Sequence, residues 1–562
     1  MQLNLLKIFI IIVTLLYQAT AYSKATDYNK FNHKYLSNYF SALLSYDNKD
    51  NNRALKYFNS SKYLLDKHDK FLKKYVFSLV ADGQVFKAIK QVKYSIKRNN
   101  SNFFETNLLL ILDSLKKKDF VRISELLSDL KVSQENSTYE LIIYETLKSY
   151  NNLFLNGIIE RPNQDFGQLS LITSAFQNCY LNSNKTKSHF INIINSAEGD
   201  YSRYLFFYLG NIIENKEHDY AKEISSTIDP LSNSLLVVQA KKWIDLSKYK
   251  KFSNYFSCKL ETDILSEFFF LISNLYSSQK EYEKSNFYLN ISNYLNPKFY
   301  FNLSLLIENH LSNNDFDLAL KIFEKFEEQD EIYQWYKTKK IGQIIAKKQN
   351  NDQSLQFIEN KFKKYNNPST KIILDMANVY KKFKQYEQSI KFFSIVLSSI
   401  DIDSEVYADI LYRRGGSYER IGNFKKSDKD LLRSLEISPE DPYVMNYLAY
   451  SWLERNYNVD EAIQMLERAY KQKKDDPYII DSIGWGYYII GDFINAEKYL
   501  KQAVQLMPDD PIVNDHYGDV LWKLNRKLQA KYFWESVLNL ETTEEEMKKN
   551  ILGKLFKGPD KI

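Results

Sequence analysis

The chain has 562 residues, and its 76 Lys and Arg stand against 70 Asp and Glu, for a formal net charge of +6. With the two signs mixed along its length, it carries no basic stripe of the kind that grips a phosphate backbone, which argues against nucleic acid as a partner. The 44 Tyr and 36 Phe, with abundant Asn, Lys and Ile, match the coding bias of an AT-rich genome, so aromatic or lysine abundance by itself says nothing about function.

At the N-terminus, Lys7 precedes an apolar run from Ile8 to Tyr17, and Ala19-Thr20-Ala21 offers small residues at the two positions a signal peptidase reads. Residues 1–21 are therefore expected to be a signal peptide, cut after Ala21 to leave Tyr22 first. The alternative is an uncleaved inner-membrane anchor, with Leu3, Leu5 and Leu6 lengthening the run. Both readings export the chain, and the first makes it periplasmic. Neither cysteine lies in this segment, so it lacks the acceptor of a lipoprotein.

Between about Tyr35 and Leu130 (35–130), Ala54 and Ala88 stand 34 residues apart, each followed four residues later by Phe58 or Val92, which predicts two or three divergent helical repeats. Residues 131–265 read as irregular helical repeats without a register. Within them the run from Tyr204 to Ile213, followed by Tyr220-Ala221, predicts one helix pair, and Gly157–Gly167 and Asn182–Ser188 read as loops. Cys179 and Cys258 are read as two half-buried thiols, with a disulfide as the alternative. His33, His68, His189, His218, His310 and His516 show no ligand spacing, and no G-x-S-x-G elbow, phosphate-binding loop or H-E-x-x-H helix occurs. No metal site, cofactor or catalytic centre is expected.

From residue 266 to 542 the chain repeats with a period of mostly 34 or 35 residues, in eight units that start at Ser266, Tyr300, Trp335, Thr370, Ala408, Pro442, Pro477 and Pro511. The pattern is best over 408–542. Gly484 recurs as Gly518, and Ala462 as Ala496 and Ala530, where two antiparallel helices must cross closely. Ser285, Ser354, Ser389 and Ser427 take the small position in other units. Asp441-Pro442, Asp476-Pro477 and Asp510-Pro511 supply an N-cap carboxylate followed by a proline with no N–H to lose. Gly422 and Gly491 should end first helices in the left-handed conformation. Asp481-Ser482 and Asp515-His516 bring Ser, His and Asp together, but nothing in the spacing fixes the geometry a triad needs. Residues 543–562 predict a capping helix and tail, with Thr543 at its start and Met547, Ile551, Leu552, Leu555 and Phe556 on one side.

This period and these residues resemble the tetratricopeptide (TPR) repeat. The resemblance implies an all-α, right-handed solenoid of antiparallel helix pairs, degenerate in its N-terminal half. Over 443–540, with Asn446-Tyr447-Leu448-Ala449-Tyr450 and Asp481-Ser482-Ile483-Gly484-Trp485, it is similar to exported TPR proteins of alphaproteobacteria. It is also similar to a TPR lipoprotein adaptor of a carboxy-terminal processing protease. What this implies is a non-enzymatic adaptor or scaffold of the bacterial cell envelope, serving a periplasmic protease or an assembly complex and meeting the membrane only through that partner. An architectural solenoid that spaces or oligomerises a complex is the alternative; oligomeric state stays open. The resemblance places the groove for a protein or peptide on the first helices, at Tyr443, Asn446, Tyr450 and Leu453, then Tyr478, Asp481, Trp485 and Tyr488, then Ile512, Asp515, Asp519 and Trp522. Asp481 and Asp515 are expected to be open to a basic or neutral segment and to tolerate replacement by Lys.

Overall fold

The computed structural model describes residues 33–65, 69–99, 103–130, 138–160, 164–196, 201–326 and 331–559. The expected signal segment lies outside them. Among the described residues there are thirty α-helices and no strand, so the fold is all-α. No described helix is long and apolar enough to cross a membrane. The described residues divide near residue 337 into two compact units, those before Thr338 forming the first except Asp229–Ser232, which belongs with the second.

The second unit shows how the local sequence builds the fold. Its last helix pairs are Glu405–Arg420 with Phe424–Ile437, Pro442–Glu454 with Val459–Gln472, Pro477–Ile489 with Phe493–Leu506, and Pro511–Lys523 with Lys527–Asn539. Asp441, Asp476 and Asp510 each accept the backbone N–H groups two and three residues on, satisfying donors that a helix start leaves orphaned. Gly422 and Gly491 have φ of +73° and +82°, as helix-ending glycines should, and Asn525 takes the same left-handed role at +64° in the last pair. Within each pair the backbones nearly touch. A Cβ on Gly484 would lie 2.7 Å from Leu500, and one on Gly518 would lie 2.4 Å from Trp534. The small positions Ser354, Ser389, Ser427, Ala462, Ala496 and Ala530 are all wholly buried.

The first unit departs from an array in which repeats touch only their neighbours. Helix Asp69–Ala81 packs on helix Tyr282–Leu295, where Phe77 meets Phe287 at 4.6 Å and Asn290 Nδ2 donates to the Ala81 carbonyl, 209 positions away. Tyr204–Glu214 and His218–Ser226 form the helix pair expected there, but helix Thr186–Ile194 begins inside the stretch read as a loop. The half-buried Arg203 makes two parallel bonds of 2.8 Å to the carboxylate of the buried Glu267, the geometry that lets a buried charge survive away from water. Cys179 and Cys258 are not thiols: they form a disulfide with Cα atoms 5.7 Å apart. Chain folding brings Cys179, on helix Gln168–Tyr180, against the turn ahead of Glu261–Ser278, a proximity no spacing rule reveals.

Candidate functional site

In the second unit the first helices of successive pairs pack on one another, Pro442–Glu454 on Pro477–Ile489 and Pro477–Ile489 on Pro511–Lys523, and together make one face, the one expected to be the inner face. Tyr450 and His516, on first helices two repeats apart, approach to 6.4 Å between ring centroids. Three equivalent positions on this face are open: Tyr443, Tyr478 and Ile512 are 47%, 61% and 50% exposed. Apolar side chains left open at one position of three consecutive repeats form a row along the face.

Beneath the row lies an aromatic and acidic cradle. His516 Nδ1 is 3.0 Å from the Asp481 carboxylate. The imidazole stacks on Trp485 at 4.0 Å, and Trp485 stacks on Tyr488 at 4.7 Å. Trp485 also donates Nε1–H to Glu454 at 2.7 Å. Burial would lower the His516 pKa, but Asp481, with Asp515 and Asp519 behind it, pushes it above the ordinary imidazole value. Ser482 Oγ donates to the Tyr478 carbonyl on its own helix, so it is not aligned with His516 as a nucleophile.

The placement corrects the groove expected from sequence. Asp481, Tyr488, Asp519 and Leu453 are buried, so neither aspartate presents an open charge, and Lys at 481 would bury a second cation beside His516. Asn446, Tyr450, Trp485, Asp515 and Trp522 are half-buried. The cause at the distal end is helix Glu545–Lys557. Lys554 Nζ reaches back to Asp515 Oδ1 at 2.7 Å and Asp519 Oδ2 at 2.8 Å, while Trp534 Nε1 donates to the other Asp519 oxygen at 3.1 Å. Gly558 lies so close on Trp522 that a Cβ there would be 2.4 Å from the indole. Burial and the neighbouring Asp515 push Asp519 up to about 6 against the pull of Lys554. Leu552 and Phe556, expected on the inward side, are 49% and 91% exposed, and only Ile551 of that helix is fully buried.

At the other end the same face is cationic. Lys381 is pushed down to about 8 by burial and by Arg413 and Arg420. Arg413 pairs with Asp409 at 2.9 Å, and Lys384 Nζ lies 2.8 Å from Glu544. Sequence reading missed this end because lysines and arginines are spread evenly along the chain, and only the packing of the repeats brings Arg413 and Arg420 near Lys381. It also missed a cavity of about 170 Å³ in the first unit, lined by Tyr46, Phe77, Asn286, Asn290 and His310, whose asparagines look like the rest of the composition.

Residues 408–441 match the family described as tetratricopeptide repeat. The chain therefore carries a tetratricopeptide repeat. A TPR repeat-containing protein of Pseudomonas aeruginosa is 33% identical over 111 residues, which are 20% of this chain and 19% of that relative, so the match spans about a fifth of the relative's length. Among solved structures, a tetratricopeptide repeat protein from Parabacteroides merdae is similar at 15% identity over 46% of this chain and 98% of that one, with a TM-score of 0.38. Pseudomonas aeruginosa pilF is similar at 17% identity over 34% of this chain and 85% of its own, with a TM-score of 0.29. The TPR fold of helix pairs suits binding to other proteins.

Proposed function

We propose that this TPR protein is a non-enzymatic scaffold of the bacterial cell envelope, and that the inner face of its second unit takes a segment of a partner protein. The observation that carries the reading is the open row of Tyr443, Tyr478 and Ile512 above the cradle of Tyr450, Trp485 and His516. Aromatic anchors flanked by charges of both signs are what a protein interface core requires. Export is supported by the apolar run after Lys7 and by the Cys179–Cys258 disulfide, since such bonds persist in oxidising compartments.

A photo-crosslinking residue placed in turn at Tyr443, Tyr478 and Ile512, and at Lys501 and Glu535 on second helices as controls, tests this in the native cell. The expected result is one partner captured from the inner row and not from the controls. Equal capture from both surfaces, or capture from the controls alone, favours an architectural solenoid that works through its outer face.

A further inference from the structure

Part of the inner face of the second unit is already occupied, and its occupant is part of the same chain. Helix Glu545–Lys557 follows the last repeat and touches both charged ends of the face. Glu544, at its N-cap, meets Lys384 with the Arg420 charge nearby, and Lys554, ten residues or about 15 Å of helix further on, sits between Asp515 and Asp519. With Gly558 on Trp522, the segment covers three of the four groove positions of the last repeat.

Two features set it apart from a plain cap. A cap should bury a continuous apolar stripe, yet this helix buries Ile551 with partial help from Met547 and Leu555, and leaves Phe556 and Leu552 in water. The place filled by Lys554 is also built for a cation. Two carboxylates converge there, and near them the hydroxyl of Tyr488, a residue 1% exposed, has no hydrogen-bond partner. Without a cation the site would leave the buried Asp519 carboxylate uncompensated beside the half-buried Asp515.

We infer that the C-terminal helix is a displaceable internal ligand, and that the partner recognised by this face presents a helix carrying an acidic residue and, about ten positions later, a lysine that replaces Lys554 between Asp515 and Asp519. This rests on the inner-face reading above. The internal helix then sets the threshold for binding, because a site occupied by its own chain nine-tenths of the time weakens any outside ligand about tenfold.

The test uses the full chain and an isotope-labelled synthetic peptide of residues 541–559. Excess peptide is expected to release the chain's own residues 545–557 to rapid amide exchange while 511–523 stays protected. Lys554→Gln in the chain should tighten peptide binding about tenfold, whereas the same change in the peptide, or Asp515→Asn with Asp519→Asn in the chain, should abolish binding. Circular dichroism verifies that each variant is folded, and should Lys554→Gln fail, the exchange experiment on the unaltered chain decides alone. No release of 545–557, or peptide binding indifferent to its lysine, overturns the inference. So does a concentration-dependent dimer of the unaltered chain with the helix exchanged between copies, which would make a second copy the occupant. Failure here with crosslinking at Tyr478 intact removes only the displacement, whereas loss of crosslinking at all three row positions removes the inner-face reading itself.

Discussion

His516 Nδ1 lies 3.0 Å from Asp481 Oδ2, tying the first helix of one repeat to that of the next inside a buried site. Removing one partner of a buried charge pair strands the other. His516→Ala is therefore expected to cost about 3–5 kcal/mol, against a smaller loss for Asp481→Asn combined with His516→Gln, where no charge is left alone. Urea unfolding followed by exchange in residues 477–523 reads the difference.

The same pair sets a pH dependence. A group whose pKa is raised on folding adds stability that is complete below its unfolded value, 6.5 for this imidazole, and is lost as pH climbs through the folded value. Asp519 has the same sign lower down, its contribution full below 3.8 and lost as pH rises through about 6. The last repeats should therefore melt at higher temperature at pH 6 than at pH 8. His516→Gln should flatten that difference, and thermal melts of the two chains across the range check it.

Gly518→Ala puts a methyl group 2.4 Å from the fully buried Trp534, whose Nε1 is held by Asp519. Overpacking of about 1–3 kcal/mol is expected, offset in part by the better helix propensity of Ala, about 1 kcal/mol. Gly553→Ala meets nothing within 4 Å and should gain that propensity alone. Opposite signs in paired melts are the expected outcome.

Asp476→Ala removes the side chain that caps Tyr478 and Ile479 N–H, and should cost about 1 kcal/mol. Asp476→Asn should cost much less, since an amide oxygen can accept the same bonds. Denaturant titration of both variants separates them.

Cys179→Ser with Cys258→Ser, or reduction of the parent chain, should lower the stability of the first unit by about 2–4 kcal/mol. Amide exchange within 168–278 is expected to rise, while 442–539 should hold its protection.

The repeats were legible in the sequence because each rests on a local demand for one residue type. Asp before Pro caps a helix start, Gly422 and Gly491 accept positive φ, and Gly484 and Gly518 allow two backbones to close. Where Asp519 and Trp522 end up depends instead on a helix some 30 residues downstream that folds over them, and their spacing carries no trace of it. Tyr488 and Asp481 are buried by contacts between repeats, which the same positions in an isolated helix pair would lack. The cysteines were ambiguous for the same kind of reason, since pairing is a property of spatial distance and the sequence gives only a separation of 79.

That separation has a mechanical side. A repeat array pulled from its ends can unpeel one helix pair after another, each lengthening the chain as it goes. The Cys179–Cys258 bond removes the intervening segment from that extension, roughly 270 Å of fully stretched backbone at about 3.4 Å per residue. Under tension the first unit can therefore pay out only the chain on either side of the bond, and a reductant, rather than more force, releases the remainder.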